Sequence, residues 1–320
     1  MIGIDVGGAN LKVADESGVF SYSCPLYEGA SLASLLQRHR AGTSSPAAVV
    51  MSGELADCFS DKMEGIRFIV AEVRQVFPVS SFYGTDALFH DGPVPQLAAA
   101  NWLAAADFLR ERYPGAVLVD MGSTTTDIIP LTQFDKLRGL TDLMRLKRGY
   151  LLYTGLLRTT VPAVLRSVTV DGEAVPVSAE QFAIAADAHL VLGHIGADLY
   201  SCDTPDKKEK TIPAALRRLS RVVCSDLDEI GGANAAGIAE QFWAEQKTII
   251  CGTVRSVMES SGASSVITAG IGSSLLAREL CGLDLFRELG AAASALPAAA
   301  VRELACRDSR FQGPAFPFPG

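Results

Sequence analysis

Apolar positions form two similar blocks, each consisting of two short apolar runs separated by small and polar residues. The first block covers residues 2–14 and the second covers residues 117–131. An apolar run that stops at a glycine predicts a strand, so each block predicts two strands joined by a tight turn. The blocks are separated by far more than the roughly 20–50 residues of a solenoid repeat, which indicates two duplicated lobes.

The rest of the chain alternates between short apolar runs and helical spacing. Further strands are predicted over residues 19–26 and 47–51, and residues 265–277 read as a strand that runs through glycines into a helix. Helical spacing predicts helices over residues 31–40, 56–77, 96–112, 151–159, 178–191, 214–226 and 236–260.

Chain length supports two lobes, because 320 residues and 33.8 kDa are too much for one small core. We predict an α/β protein with an N-terminal lobe over residues 1–114 and a C-terminal lobe, carrying an insertion, over residues 115–310. Residues 311–320 are predicted to form a Pro-rich tail.

Charge and composition exclude several classes of protein. The net charge of −8 and the pI near 5.1 argue against nucleic acid as a partner, since binding the phosphate backbone needs a cationic face. No apolar run approaches the roughly 18 residues of a membrane-spanning helix, and no basic region precedes an apolar one at the N-terminus. The seven cysteines include no CxxC pair, which argues against a zinc site. We therefore expect a cytoplasmic protein.

Chemistry is concentrated in the turn of each block, which follows a strand ending near an aspartate: Asp5 in the first block and Asp120 in the second. Glycine lets a phosphate approach backbone N–H groups, and two aspartates beside it favour a Mg²⁺ ion between them. We predict Asp5 and Asp120 as metal ligands and catalytic residues. The predicted phosphate-binding residues are Gly7, Gly8, Asn10 and Lys12, the aligned Gly122, Ser123, Thr124 and Thr125, and Gly270 and Gly272 of a third glycine-rich turn. Lys12 is equally consistent with a solvated strand residue.

The three glycine-rich turns, in this order, resemble the superfamily of sugar and acetate kinases, actin and the heat-shock-protein ATPases. The resemblance covers nearly the whole chain. It implies two ribonuclease-H-like lobes, each a mixed sheet flanked by helices, with the ligand in the cleft between them. ATP binding is consistent with this resemblance because the third turn is retained.

Four further motifs narrow the resemblance: SGELADC at 52–58, ANW at 100–102, DMGSTTTDIIP at 120–130 and VCSD at 223–226. Together they resemble a hydantoinase/oxoprolinase-related family that accompanies tetrahydromethanopterin-linked one-carbon metabolism. The characterised archaeal relative acts in methanofuran biosynthesis. The resemblance implies an aryl-ether-forming transferase that joins an aminomethyl-furanmethanol diphosphate to the phenol of γ-glutamyltyramine, or of a tyrosine-derived analogue, and releases diphosphate. It also implies Mg²⁺ and no requirement for ATP.

Side chains outside the turns are weighed against structural alternatives. Glu54 and Asp127 are candidate bases for the phenol, although Glu54 also fits a helix cap and Asp127 also fits a hydrogen bond to its own turn. Asn101 and Arg148 are candidate substrate-binding residues, and Arg148 also fits a solvated basic face. A metal site at His189 and His194 is disfavoured, because a spacing of five places the two rings on different faces of a helix.

Two other functions stay open at this point. The first is an ATP-dependent small-molecule kinase or hydantoinase/oxoprolinase-like enzyme, and the second is a non-catalytic nucleotide-binding regulator. A regulator with an N-terminal DNA-binding helix pair is disfavoured, because the first motif begins at Ile2. The Ala-rich residues 290–300 are a candidate for packing between subunits of a homo-oligomer.

Overall fold

The computed structural model describes residues 1–40 and 46–308, so the predicted Pro-rich tail lies outside the described residues. Within the described residues, the first sheet has the order β3-β2-β1-β4-β5-β6. Its strands are β1 (Ile2–Val6), β2 (Asn10–Asp15), β3 (Gly18–Ser23), β4 (Ala47–Met51), β5 (Ser80–Tyr83) and β6 (Phe89–His90).

The second sheet repeats this topology. Its strands are β7 (Ala116–Met121), β8 (Thr126–Pro130), β9 (Leu151–Leu152), β12 (Ser265–Ala269) and β13 (Leu283–Asp284). Read from β9, the order is β9-β8-β7-β12-β13, and each pair has the same parallel or antiparallel sense as in β3-β2-β1-β4-β5. A separate hairpin pairs β10 (Ser167–Val170) with β11 (Glu173–Pro176). The predicted fold class, with two ribonuclease-H-like mixed sheets, is confirmed.

Helices cover the faces of both sheets. They are α1 (Leu32–Gln37), α2 (Lys62–Val76), α3 (Asn101–Leu109), α4 (Phe134–Leu137), α5 (Asp142–Arg148), α6 (Val161–Val164), α7 (Ala185–Val191), α8 (Ile212–Arg221), α9 (Leu227–Ser261), α10 (Ser273–Leu280), α11 (Phe286–Leu289) and α12 (Leu296–Arg307). Helix α9 is interrupted near its start by Gly231, whose φ of 75° is not helical.

Several predicted helix bounds were wrong. The largest error is residues 151–159, which were predicted as a helix and instead form β9 followed by a loop. Helix α2 begins at Lys62 and not at residue 56, because Asp61 caps it by accepting from the Glu64 N–H at 2.8 Å. The helices predicted over residues 178–191 and 96–112 are also too long, because the structure has only α7 and α3 in these segments.

The C-terminal helix α12 belongs to the core between the sheets. It packs against β1, where the Arg302 Nε donates to the carbonyl oxygen of Met1 at 2.9 Å. One helical stretch, Phe286–Arg307, is long and apolar enough by length and composition to span a membrane, and 56% of its most apolar window is buried inside the protein. Residues 290–300, predicted as a subunit contact, lie in this stretch, where Leu296, Ala298 and Ala300 pack in the core of the chain itself.

Candidate active site

The two predicted turns have the same backbone structure. In the first, the Gly7 N–H donates to the carbonyl oxygen of Asn10 at 2.9 Å. In the second, the Gly122 N–H donates to the carbonyl oxygen of Thr125, also at 2.9 Å. The alignment of the two sequence blocks is therefore a structural equivalence, residue for residue.

Strand register extends the equivalence to the charged side chains. β1 and β2 place Asp5 opposite Lys12, and β7 and β8 place Asp120 opposite Asp127. One lobe thus contributes a cation at the position where the other contributes an anion. Burial raises the pKa of both Asp5 and Asp120, and the positive charge of Lys12 opposes this shift at both carboxyls. Lys12 therefore interacts electrostatically with an aspartate from each turn.

Each turn leaves backbone donors unused. Among residues 1–40 and 46–308, no acceptor takes a hydrogen bond from the N–H groups of Gly8 and Ala9 in the first turn or of Ser123 and Thr124 in the second. Ala9, Asn10 and Ser123 line the same cleft, which has a volume of about 350 Å³. Consecutive free N–H groups form an anion-binding surface. The cleft therefore presents two such surfaces, one from each sheet.

A glycine from elsewhere in the chain supports each turn. A Cβ on Gly53 would lie 2.7 Å from the carbonyl carbon of Gly7, closer than Cβ atoms approach backbone. A Cβ on Gly155 would lie 2.7 Å from the carbonyl carbon of Ser123 and from the nitrogen of Thr124. Gly155 was missed in the sequence, since its segment was predicted as a helix.

The third turn, which contains the predicted phosphate-binding residues Gly270 and Gly272, packs against Asp120. The Gly270 N–H donates to the carbonyl oxygen of Ala293 at 3.2 Å, and the Gly272 N–H donates to that of Met121 at 3.0 Å. Both N–H groups are thus already used within the protein. Gly270, with φ 77°, packs so closely on Asp120 that a Cβ there would overlap the carboxyl oxygen Oδ1. The close packing of this turn therefore fixes the position of the Asp120 carboxyl group.

Asp5 and Asp120 have strongly shifted pKa values. Burial raises the pKa of Asp5 to about 6, with Lys12 opposing and Asp127 adding to the shift. Burial raises the pKa of Asp120 to about 7, and the charges of Asp127 and Asp5 add to it while Lys12 opposes. Asp5 is 5% exposed, and its Oδ1 is buried without a hydrogen-bond partner in the described residues. Two buried carboxylates that repel each other favour either a proton or a cation between them.

A divalent cation suits this donor set. The orphaned Oδ1 of Asp5 is an unused oxygen ligand, and oxygen is what Mg²⁺ prefers. No group of three or more His, Cys, Asp or Glu side chains able to hold a metal occurs in residues 1–40 and 46–308. Asp5 and Asp120 stay the candidate ligands, because Mg²⁺ is usually held by one or two carboxylates together with phosphate oxygens and water.

The raised pKa values make stability depend on pH. Each carboxyl stabilises the fold when protonated, so its contribution is full below the usual pKa of 3.8 and is lost as the pH rises through about 6 for Asp5 and about 7 for Asp120. In EDTA, we expect the Asp5 carboxyl by itself to lower the free energy of unfolding by about 2–3 kcal/mol between pH 4 and pH 7.5. Urea titrations of the wild type and of Asp5→Asn across this range measure the effect. Identical pH profiles for the two proteins would contradict it.

Arg145 is the arginine of α5 that contacts the carboxylates. Arg145 is 3% exposed, donates to Asp127 and to Asp142 (the latter at 2.7 Å), and lies 4.4 Å from the centre of the Trp102 ring. Arg148 is exposed at the end of the helix, because only one side of α5 faces the protein. Burial raises the pKa of Asp127 while its ion pair with Arg145 opposes the shift, so this carboxylate already has a cationic partner within the protein.

Glu54 is the stronger candidate for a base. Its side chain is 2% exposed, and Oε2 is buried without a hydrogen-bond partner in the described part of the chain. Burial raises the pKa of Glu54 above its usual range. Helix capping does not explain Glu54, since Asp61 caps α2. Asn101 lies beside the same loop, where its Nδ2 donates to the Ser52 Oγ at 3.3 Å.

Behind the second turn, a chain of buried polar groups fixes Gly155. Gln246 Nε2 donates to the Thr154 Oγ1 at 2.8 Å and to the carbonyl oxygen of Gly155 at 2.9 Å. Its Oε1 then accepts from His189 Nε2, and His189 Nδ1 meets His194 Nδ1 at 2.9 Å. The two rings touch because α7 ends at Val191, so the expectation of separate helix faces was wrong. Burial lowers the pKa of His189 to about 3, consistent with a neutral structural role.

Sequence comparison relates the chain to known proteins. Residues 46–297 match the hydantoinase/oxoprolinase family. The chain is 32% identical over 287 residues to the (4-{4-[2-(gamma-L-glutamylamino)ethyl]phenoxymethyl}furan-2-yl)methanamine synthase of Methanocaldococcus jannaschii, covering 86% of this chain and 87% of that protein. A protein of the same name from Methanococcus vannielii is 39% identical over 160 residues, which is 50% of this chain and 72% of that protein.

Solved structures with a similar course of the chain are more distant in sequence. A ROK family glucokinase from Streptomyces griseus is 16% identical, with a TM-score of 0.44 and coverage of 95% of this chain and 98% of that one. An inorganic polyphosphate/ATP-glucomannokinase from Arthrobacter is 14% identical, with a TM-score of 0.39 and coverage of 96% and 98%.

Proposed function

Because the chain belongs to the hydantoinase/oxoprolinase family, we propose that it is a transferase of methanofuran-type coenzyme biosynthesis. It joins an aminomethyl-furanmethanol diphosphate to the phenol of γ-glutamyltyramine, or of a tyrosine-derived analogue, and releases diphosphate. The names of the archaeal relatives describe a product in which a phenoxymethyl group is attached to a furan. Such an aryl ether is what this reaction forms.

The observation that carries the proposal is the pair of facing turns with free N–H groups. Four donors, from Gly8, Ala9, Ser123 and Thr124, suit a small ligand with many oxygen acceptors on both sides. A diphosphate has this character. The N–H groups of Gly270 and Gly272 in the third turn already donate within the protein, so the proposed diphosphate contacts come from the first two turns.

The reaction breaks one C–O bond and makes another. The bond between the furfuryl carbon and the diphosphate oxygen breaks, and its electron pair leaves with diphosphate. The furan oxygen stabilises the positive charge on the carbon, the phenol oxygen bonds to that carbon, and the phenolic proton passes to a base. Because charge develops on the leaving group, the protein accelerates the reaction mainly by stabilising that charge.

Residues of this chain divide this work. The free N–H groups of the turns and the Lys12 ammonium bind the diphosphate. They stabilise the negative charge that develops on it as the C–O bond breaks. Asp5 and Asp120 would hold Mg²⁺, which supplies further positive charge to the diphosphate oxygens when bound.

Glu54 is proposed as the base for the phenol. Burial raises the pKa of Glu54, and its Oε2 has no hydrogen-bond partner in the described residues. The Glu54 carboxylate therefore binds a proton more tightly than an exposed carboxylate does. We expect Glu54→Gln to lower kcat by about 10²-fold, the lower end of the usual range, because proton loss follows the breaking of the diphosphate bond. Diphosphate affinity should change by less than about twofold. Glu173→Gln, on the exposed β10–β11 hairpin, is the matched control and should retain full activity in the same coupled assay.

The experiment that tests the function uses purified protein with Mg²⁺, an aminomethyl-furanmethyl diphosphate and γ-glutamyltyramine, without ATP. Mass spectrometry detects the ether and a coupled assay detects diphosphate, and the two should appear in equal amounts. A tyrosine-derived phenol in a parallel reaction identifies the preferred acceptor. Strict dependence on ATP, with a phosphorylated product, would show instead that the protein is a kinase.

A further inference from the structure

We propose that Arg158 is a diphosphate-binding residue, which closes the anion site on the side that the two turns leave open. This inference rests on the proposed function and names a residue of the same site. It follows from where the backbone places Arg158, from the lack of a counter-ion for its guanidinium, and from the geometry with which arginine binds phosphate.

The backbone holds Arg158 directly against the second turn. The N–H groups of Leu157 and Arg158 both donate to the carbonyl oxygen of Ser123, at 3.0 and 2.9 Å. The N–H group of the same residue, Ser123, is one of the free donors of the second turn. The side chain of Arg158 lines the 350 Å³ cleft together with Ala9, Asn10 and Ser123. An anion bound to the turns therefore lies within reach of this side chain.

The guanidinium of Arg158 is half-buried and has no carboxylate within 4.0 Å in the described residues. Its Nη2 donates to the neutral hydroxyl of Tyr27 at 3.2 Å, and that bond uses one of five donors. Glu28 and Asp203 also line the cleft, yet neither forms an ion pair with it.

Two fully buried arginines of the protein show the contrast. Arg145 is paired with Asp127 and Asp142, and Arg218 is paired with Asp187 at 2.7 Å and with Asp206 at 3.1 Å. Burying a charge without a partner costs free energy. The positive charge of Arg158 therefore lacks a counter-ion in the described residues, and an anionic ligand in the cleft would supply one.

Arginine suits a diphosphate better than lysine does. Its planar guanidinium offers two parallel N–H groups that match two phosphate oxygens. The turns bind through neutral amide dipoles, whereas Arg158 brings a full charge, as Lys12 does from the other lobe. Tyr27 belongs to the lobe of the first sheet and is 131 residues away in the sequence. Its hydrogen bond with Arg158 therefore holds the guanidinium in the cleft between the two sheets.

Calorimetric titration with inorganic diphosphate and Mg²⁺ tests the role of Arg158. We expect Arg158→Gln to raise the Kd of diphosphate by about 10- to 100-fold, since a charged hydrogen bond is lost. Arg158→Lys should recover part of this loss, because the charge stays and the paired geometry does not. Arg166→Gln, which removes an exposed arginine that does not line the cleft, should leave the Kd within about twofold of the wild type. Circular dichroism melting confirms that each variant is folded.

Two results separate the inference from the proposed function. If the wild type binds diphosphate and Arg158→Gln binds it equally well, the role of Arg158 is wrong while the function stands. The inference is also wrong if Arg158→Gln loses affinity only for γ-glutamyltyramine, because the guanidinium then binds the acceptor carboxylate. If the wild type does not bind diphosphate at all, the proposed function itself is overturned.

Discussion

Replacing Asp120 by asparagine is expected to lower kcat by about 10²- to 10³-fold while leaving the protein as stable as the wild type or more so. Asparagine has nearly the same shape but no charge, so it weakens the interaction with a cation that neutralises the leaving group. Stability should not suffer, because burial raises the pKa of the Asp120 carboxyl to about 7 and its charged form is unfavourable in the fold. The substitution is therefore expected to lower the rate of the reaction without lowering the stability of the fold.

Steady-state rates of ether formation and melting temperatures, both at pH 7.5, measure this prediction. Asp135→Asn is the matched control, since Asp135 has an exposed side chain and only a 3.6 Å ion pair with Arg138. The control should change neither quantity. A fully active Asp120→Asn enzyme would remove Asp120 from the mechanism, and an inactive but unfolded one would show that the residue is structural.

Gly155→Ala is expected to combine the loss of diphosphate binding with the loss of stability. The added Cβ would lie 2.7 Å from the backbone of Ser123 and Thr124, and backbone cannot move aside as a side chain can. The turn must shift, which moves its free N–H groups away from the ligand. We expect about 1–3 kcal/mol less stability, as for other overpacked sites, and a Kd for diphosphate at least about tenfold higher.

A second glycine provides the control. Gly252 lies within α9, and a Cβ there would meet nothing within 4 Å. Gly252→Ala should therefore stabilise the protein by up to about 1 kcal/mol, because alanine favours a helix over glycine. Urea titration and calorimetry of both variants measure the two effects. Equal stability and equal diphosphate affinity in the two variants would show that Gly155 does not support the turn.

The sequence predicted the two turns and their aspartates correctly in position. In each turn, the strand, the glycine and the following strand are neighbours in the chain, so turn geometry depends on adjacent residues alone. The repeated block also predicted two sheets with the same topology. The same local reasoning placed Glu54 after a strand, and the tertiary structure then showed that Asp127 pairs with Arg145 whereas Glu54 Oε2 has no partner in the described residues.

Residues 151–159 show where this reasoning failed. The leucines there have helical spacing, and Leu156 and Leu157 are buried as a helix face would be. Their N–H groups, however, donate to the carbonyl oxygens of Gly122 and Ser123. The segment is held by a turn more than 30 residues away, and such a partner overrides local propensity.

The sequence by itself determined the fold class and the positions of the two glycine-rich turns, with Asp5 and Asp120 beside them. Only the tertiary structure showed which further residues surround these turns: Gly155 behind the second turn, Arg145 beside Asp127, and Arg158 lining the cleft. The physical reason is the distance along the chain between partners. Turn geometry is fixed by neighbouring residues, whereas the burial of a charge and the choice of its partner depend on segments that meet only when the chain folds.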